Sequence, residues 1–355
     1  MKGLTPEAAT IGCDLGDRKS ELCVLWPDGR VERPRPVETT LEAMRMFFAT
    51  RKSAHVVVEV GTHSAWVSEV VKGLGHQVTV ANPRKVQLIA KGHAKTDKKD
   101  AELLARLGRA DRELLSPVQH RGVRTRADLA VLKARDALVA SRTKLVNLCR
   151  GMAKPMGFRF PKCTAESFWK LRGQTPETLE PALNPVFDAL EQLQKSIAAH
   201  ERRAVELART TYQEEMRRIT QPKGVGLLTA LAFLLTLEDP KRFAHSRDVG
   251  PFLGLTPRKD QSGEVDRQLG ITKNGDPFLR RLLVNSANYQ LGPLGEDSDI
   301  RRWGQELAKR GGKRARHRAK VAVARKTAVL LHAIWLSGEA YEPLRQTQRE
   351  EKNAA

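Results

Sequence analysis

Cysteine is scarce in this chain: four among 355 residues, Cys13, Cys23, Cys149 and Cys163, with no Cys-x-x-Cys pair. That scatter argues against a disulfide framework or a zinc site and reads as structural thiols in a reduced, cytoplasmic protein. Aromatic residues are thin as well, at 5%, so stacking of unpaired bases on rings is not the main binding mode expected. No apolar run reaches the roughly 18 residues of a membrane-spanning helix. The longest, Val225 to Leu237, suits a buried core helix. The opening "MKGLTPEAATIGC" has one lysine and no apolar stretch behind it, so no secretory leader is expected. Acidic residues are in deficit: 41 against 62 lysines and arginines, for a formal net charge of +21. Such an excess calls for an anionic partner, nucleic acid first, although charge alone does not separate DNA from RNA or from an anionic membrane.

What is present falls into distinct regions, and 355 residues are too many for one ordinary core. Residues 9–60 read as a strand meander. "TIGCDLG" is a short apolar run, "SELCVLWPDGR" alternates and turns at Pro27-Asp28-Gly29, and "RVERPRPVE" returns as an edge strand because of its prolines. "TLEAMRMFFAT" is a helix capped by Thr39 or Thr40, "AHVVVEV" a strand buried on both faces, "SAWVSEVVKGLG" a helix and "HQVTVANP" a further strand. This alternation predicts a mixed α/β sheet over residues 1–116. From Val123 to Arg150 apolar residues recur seven apart, at Val131, Leu138 and Leu145 and at Leu132, Val139 and Val146. A second long helix carries Val186, Leu190, Leu193, Ile197, Ala204 and Leu207. The two predict an antiparallel coiled-coil arm over 117–215, with Val186, Leu190, Leu193 and Ile197 as the seam through which copies assemble. Residues 216–340 follow as a third, mainly helical region, and 341–355 as a polar tail. Within the third region, "PKGVGLLTALAFLL" resembles a helix-hairpin-helix turn, and "VGPFLGLTPRKDQSGEVDRQLGITKNGD" is polar and glycine-rich between helices. Nine lysines and arginines crowd Lys309–Lys326.

Carboxylates stand where strands end or helices begin. Asp14 ends the first strand, and Glu59 follows three valines, where an unpaired charge is costly to bury. Asp97 and Asp100 in "KTDKKDAELLA" are three apart in a helical start and share a face. A lone aspartate after a strand is often only a turn residue. Four carboxylates converging at one sheet edge would instead repel unless a hard divalent cation, Mg²⁺ or Mn²⁺, held them together for phosphoryl transfer. On that reading the aspartates hold metal, and Lys95, Lys98 and Lys99 face the phosphodiester backbone.

At this point the segments "IGCDLG", "VVVEVGTHS" and "KTDKKDAELLA" resemble the D, E, D, D segments of the RuvC-like domain in insertion-sequence transposases of the IS-one-ten family, relatives of the Piv-type invertases. The run "FAHSRDVGPFLGLTPRKDQSGEVDRQLGITKNGDPFLRRLL" is similar to that family's C-terminal transposase domain. The resemblance implies a RuvC/RNase H-like mixed sheet, a helical arm and a mainly helical C-terminal domain. It implies a DNA recombinase with its acidic set on Asp14, Glu59, Asp97 and Asp100 and its serine nucleophile on Ser262 of "DQSGE". It further implies a phosphoserine link to double-stranded donor and target DNA, a homo-oligomer (dimer or tetramer), and a structured guide RNA encoded by the element. No membrane partner belongs to this picture. Arg258, Arg267, Lys273, Arg280 and Arg281 are candidates to hold phosphate oxygens, and Lys313, Arg314, Arg316 and Arg318 to bind the nucleic-acid backbone.

Two other readings fit part of the pattern. In a metal-dependent, RuvC-like junction nuclease, water attacks and Ser262 is structural. In a non-enzymatic nucleic-acid-binding protein, all four acids are turn residues and their loss is tolerated. The basic arm and tail suit all three readings, because phosphate binding requires no chemistry.

Overall fold

The computed structural model describes residues 8–89, 96–262 and 265–348. The chain divides between Arg121 and Gly122 into two compact units.

The first unit holds a six-stranded mixed sheet: β1 (Thr10–Asp14), β2 (Lys19–Leu25), β3 (Val31–Glu32), β4 (Val37–Glu38), β5 (His55–Glu59) and β6 (Gln77–Ala81). β1 pairs antiparallel with β2 and parallel with β5, and β5 pairs parallel with β6. The return strand read from "RVERPRPVE" is two short pieces, β3 and β4, on opposite ends of β2. Pro34 and Pro36 lie between them and cannot donate to a ladder.

Period-two alternation sends side chains to both faces of the sheet. Ile11, Cys13, Leu22, Val24, Val56 and Val58 pack under α1 (Leu41–Ala49) and α2 (Ser64–Gly73), against Met44, Phe48, Val67 and Val71. Thr40 caps α1, its hydroxyl accepting from the Ala43 amide at 3.2 Å. After β6 comes α3 (Pro83–Ile89), and then α4 (Asp97–Ala110), which covers the opposite face. Ala101 and Ala105 of α4 meet Cys23 and Leu25, while Leu104 and Leu107 meet Val57 and Ala81. Val56, Val57 and Val58 are all fully buried, the reason this strand is a continuous apolar run.

The second unit begins with α5 (Val123–Ala153) and α6 (Glu180–Arg209). Arg135 pairs with Glu201 at 2.5 Å and Arg142 donates to Gln194 at 2.7 Å, so the two helices run antiparallel. This corrects one expectation. Leu190 and Ile197 are each 1% exposed, and Leu190 packs with Val146 and Cys149 of α5. The apolar seam is spent on pairing the two helices of one chain and is not offered to another copy. Phe160, Phe168 and Phe187 close one end of this hairpin, with Phe168 and Phe187 stacked at 5.5 Å.

At the other end Leu129, Leu132, Ala204 and Leu207 enter a single core with the helices that follow. These are α7 (Gln213–Ile219), α8 (Leu227–Leu237), α9 (Val249–Phe252), α10 (Pro277–Leu291), α11 (Asp299–Lys309) and α12 (Gly312–Ser337). The arm and the C-terminal helices, separate in the sequence reading, therefore share one core. α8 is buried from Thr229 to Leu237, as its apolar run demands. Between α9 and α10, where the sequence suggests a polar connector, β7 (Pro257–Ser262) and β8 (Val265–Ile271) form a two-stranded antiparallel hairpin. No helix among the described residues is long and apolar enough to cross a membrane.

Candidate active site

The strand period decides where the carboxylates point. On β1, Ile11 and Cys13 enter the α1–α2 core and Gly12 lies under α4. Asp14, two residues beyond Gly12, therefore emerges on the α4 face. On β5, Val57 is on the α4 face, which places Glu59 there too. β1 and β5 are parallel neighbours, with Cys13 opposite Val58, so both strands end at the same edge.

The approach of α4 is fixed by small residues. A Cβ on Gly12 would stand 2.0 Å from the Ala101 carbonyl oxygen, and one on Gly108 would stand 2.3 Å from Cγ2 of Val57. Helix and strand backbones are in contact, and the helix runs with its first turn at the edge carrying Asp14 and Glu59. Thr96 caps that turn, its hydroxyl accepting from the Lys99 amide at 3.4 Å. Asp97 and Asp100 follow immediately.

Asp14, Glu59, Asp97 and Asp100 line one cavity of about 280 Å³, with Gly16, Lys19 and Glu21 completing its wall. Lys19 and Glu21 escaped the sequence reading. The signal was the hairpin "DLGDRKSE": antiparallel pairing of β1 with β2 sets Asp14 opposite Glu21, and Lys19 shares that face.

The donor set is all carboxylate oxygen, the chemistry of a hard divalent cation, with no histidine or cysteine in the wall. Cys13 points into the opposite core. Burial, and next the charge of Asp14, push its thiol far above the usual range, so it supplies no thiolate. The carboxylates surround the cavity without converging, and among the described residues no three acidic, histidine or cysteine side chains form a ready coordination shell. A spread set of this kind fits Mg²⁺, which takes one or two carboxylates per ion and completes its octahedron with water and phosphate oxygens.

The second unit carries the remaining candidates. Ser262 ends β7 at the hairpin tip, in register with Val265. Gly263, the next residue, lies outside the described residues. Arg258 and Arg267 are exposed on the two strands, and Lys273 is exposed at the hairpin base. Arg280 turns inward, donating to the carbonyls of Leu253 and Asn274 at 2.9 Å each. That is the geometry of a turn anchor, made by one guanidinium nitrogen. Arg281 pairs with Asp136 of α5 at 2.5 Å. On α12, Ala315, Ala319 and Val323 are buried, which leaves Arg314, Arg316 and Arg318 exposed on the opposite side of the first turns; the side chain of Lys313 lies outside the described residues.

Comparison with known proteins places these residues in context. Residues 11–155 match a DEDD-type transposase family model of IS110, and residues 216–297 match the transposase IS116/IS110/IS902 family. The chain is 30% identical over 341 residues to the transposase for insertion sequence element IS1111A of Coxiella burnetii, covering 93% of this chain and 90% of that protein. This chain belongs to the IS110 family of transposases. It is also 31% identical over 307 residues to the transposase for element IS1328 of Yersinia enterocolitica, covering 88% of it, and 29% identical over 311 residues to a probable family 20 transposase of Pseudomonas aeruginosa. The four acids fall inside the first family match and Ser262 inside the second, whereas Lys313–Arg318 lies beyond both. As an insertion-sequence transposase, the protein acts on DNA.

Proposed function

We propose that this transposase cuts and rejoins DNA through a covalent Ser262–phosphate intermediate, assisted by divalent cations on Asp14, Glu59, Asp97 and Asp100. The observation that carries this reading is the meeting of those four acids around one cavity, in the order D, E, D, D that the matched family's description spells. The first unit is then a RuvC-like catalytic sheet.

A bound Mg²⁺ or Mn²⁺ supplies Lewis acidity toward a phosphate oxygen and eases loss of a hydroxyl proton. The chain's own part is the following. Ser262 Oγ attacks the scissile phosphorus, an Oγ–P bond forms, one P–O bond to deoxyribose breaks, and the departing oxygen takes up a proton. Attack by a deoxyribose hydroxyl of the partner strand reverses these steps, joins the strands and restores the serine. Arg258, Arg267 and Lys273 lend cations to the phosphates beside the hairpin, and the exposed arginines of α12 bind backbone further along, a contribution that falls with salt as counterions compete. A structured guide RNA is the second anionic partner in this reading. Exchange between two duplexes calls for several active sites, hence a homo-oligomer.

Trapping decides it. With a DNA substrate blocked in strand transfer, the wild-type protein should yield a protein–DNA adduct that survives denaturation. Ser262→Ala should yield none and still bind nucleic acid, because one hydroxyl is all that is removed. A Ser262→Ala protein that cuts and rejoins at the normal rate would move the nucleophile to water and the protein to the junction nucleases.

A further inference from the structure

A nucleophile on a hairpin is aimed only as well as the hairpin is held, and β7–β8 has little of its own to hold it. The successive residues Arg258 and Lys259 are exposed, and so are Arg267 and Leu269. At these positions neither face of the ladder is packed, and a two-stranded ladder alone is marginal in water. Its direction is set at the base, where the chain enters through residues 252–256 and leaves through 272–276. The two segments touch backbone to backbone. A Cβ on Gly254 would stand 2.1 Å from the Asn274 carbonyl oxygen, and one on Gly275 2.1 Å from that of Phe252. Both glycines also hold left-handed φ, at +67° and +78°. The amides of Thr272 and Lys273 donate to the carbonyls of Thr256 and Gly254, at 2.9 and 3.1 Å. Arg280 closes the crossing from α10. Its Nη1 donates to Leu253 on the entering segment and to Asn274 on the leaving one, at 2.9 Å each. α10 is itself fixed to α5, through Asp276 with Lys133 at 2.9 Å and Arg281 with Asp136 at 2.5 Å.

We infer that Arg280 is a positioning residue for Ser262, the clamp that fixes the direction in which the hairpin carries its serine. The inference rests on the covalent reading above and adds the residue that aims its nucleophile. A guanidinium donating to backbone carbonyls makes charge-assisted bonds. Here one nitrogen holds both legs of the loop, so its loss frees them from each other. Leverage makes the base matter at the tip. β7 is six residues long, about 20 Å of strand, so a rotation of about 5° at its base moves the tip by about 2 Å. The attacking oxygen has to stand about 3–3.5 Å from the phosphorus, and a misplacement of about 1 Å can cost a rate roughly a hundredfold.

The test separates aim from binding. Full-length wild-type, Arg280→Gln, Arg280→Lys and Ser262→Ala proteins are given the transfer-blocked DNA together with the nucleic acid that accompanies the protein. The rate of adduct formation is followed against DNA concentration and against salt. Arg280→Gln should form the adduct at least about tenfold more slowly at saturating DNA, with its half-saturating DNA concentration and its salt dependence unchanged. Arg280→Lys, which keeps the charge on one nitrogen, should recover part of that rate; where the glutamine variant does not fold, the lysine variant is compared with wild type in its place. A wild-type saturated rate in the variant so compared reduces Arg280 to a structural part of the turn and overturns the inference. Weaker DNA binding with a log–log salt slope flatter by about 0.9, at an unchanged saturated rate, makes Arg280 a phosphate contact and overturns it as well. If the wild type forms no adduct, the serine reading falls and takes this inference with it. If the wild type forms one and Ser262→Ala does not, while the Arg280 variant keeps pace with wild type, only the inference about Arg280 falls.

Discussion

Two residues of β5 respond in opposite ways to the same strand. Glu59 follows three fully buried valines and escapes burial because the strand ends there, at a polar cavity. His55 begins the strand and has no such exit: it is 2% exposed, with Nε2 2.8 Å from the Thr79 hydroxyl. Burial first, and the nearby Arg112 second, lower its pKa from 6.5 to about 4. The consequence for stability has a definite sign. As pH falls through 6.5 the unfolded chain takes up a proton that the folded chain refuses until about 4. Stability is therefore full above pH 6.5 and declines between 6.5 and 4, by on the order of 2 kcal/mol from this group. Urea midpoints at pH 7 and pH 4.5 should fall less in His55→Gln than in wild type. Equal falls would mean that His55 takes up its proton normally in the fold.

Among the elements, α4 governs the site. Its first turn carries Asp97 and Asp100, and its position depends on Gly12, where strand and helix backbones touch, and on Gly108, which leaves room for the Val57 side chain. Gly12→Val must push against the Ala101 carbonyl, which is backbone and cannot swing aside. The variant should lose at least about 1–3 kcal/mol by chemical denaturation and lose Mn²⁺ binding with it, while Gly73→Ala, at the end of α2 with open space around it, leaves Mn²⁺ binding intact. Retention of wild-type stability and Mn²⁺ affinity by Gly12→Val would refute the close packing.

The same elements mark what could be read in advance. The triple valine of β5, the Thr40 cap and the helical start at Asp97 carry local signals, so four acids could be named before any geometry was known. Glu21 was missed because its place depends on cross-strand register, for which the hairpin "DLGDRKSE" is the one sequence signal and periodicity gives none. The β7–β8 hairpin was missed for a related reason. Arg258, Lys259, Arg267 and Leu269 are all exposed, so neither face is buried and no apolar alternation announces a strand. The arm was legible as two helices. Its seam was misassigned because a heptad pattern does not say which helix it meets, and here α5 of the same chain meets it.

At the scale of the whole chain, the charge excess of +21 coexists with one concentrated acidic spot. The five carboxylates that line the cavity at this sheet edge present the oxygen chemistry that divalent cations take. The family match spans both units, so the acids of the first and the serine of the second belong to one transposase. Strand exchange measured in Mg²⁺ and in excess EDTA tests that account most directly, with purified protein, the nucleic acid that accompanies it and DNA carrying the element's ends. Exchange should proceed in Mg²⁺, stop in EDTA, and be absent from Asp14→Asn and Glu59→Gln proteins that remain folded. Full exchange in excess EDTA, or by the Asp14→Asn protein, would contradict it.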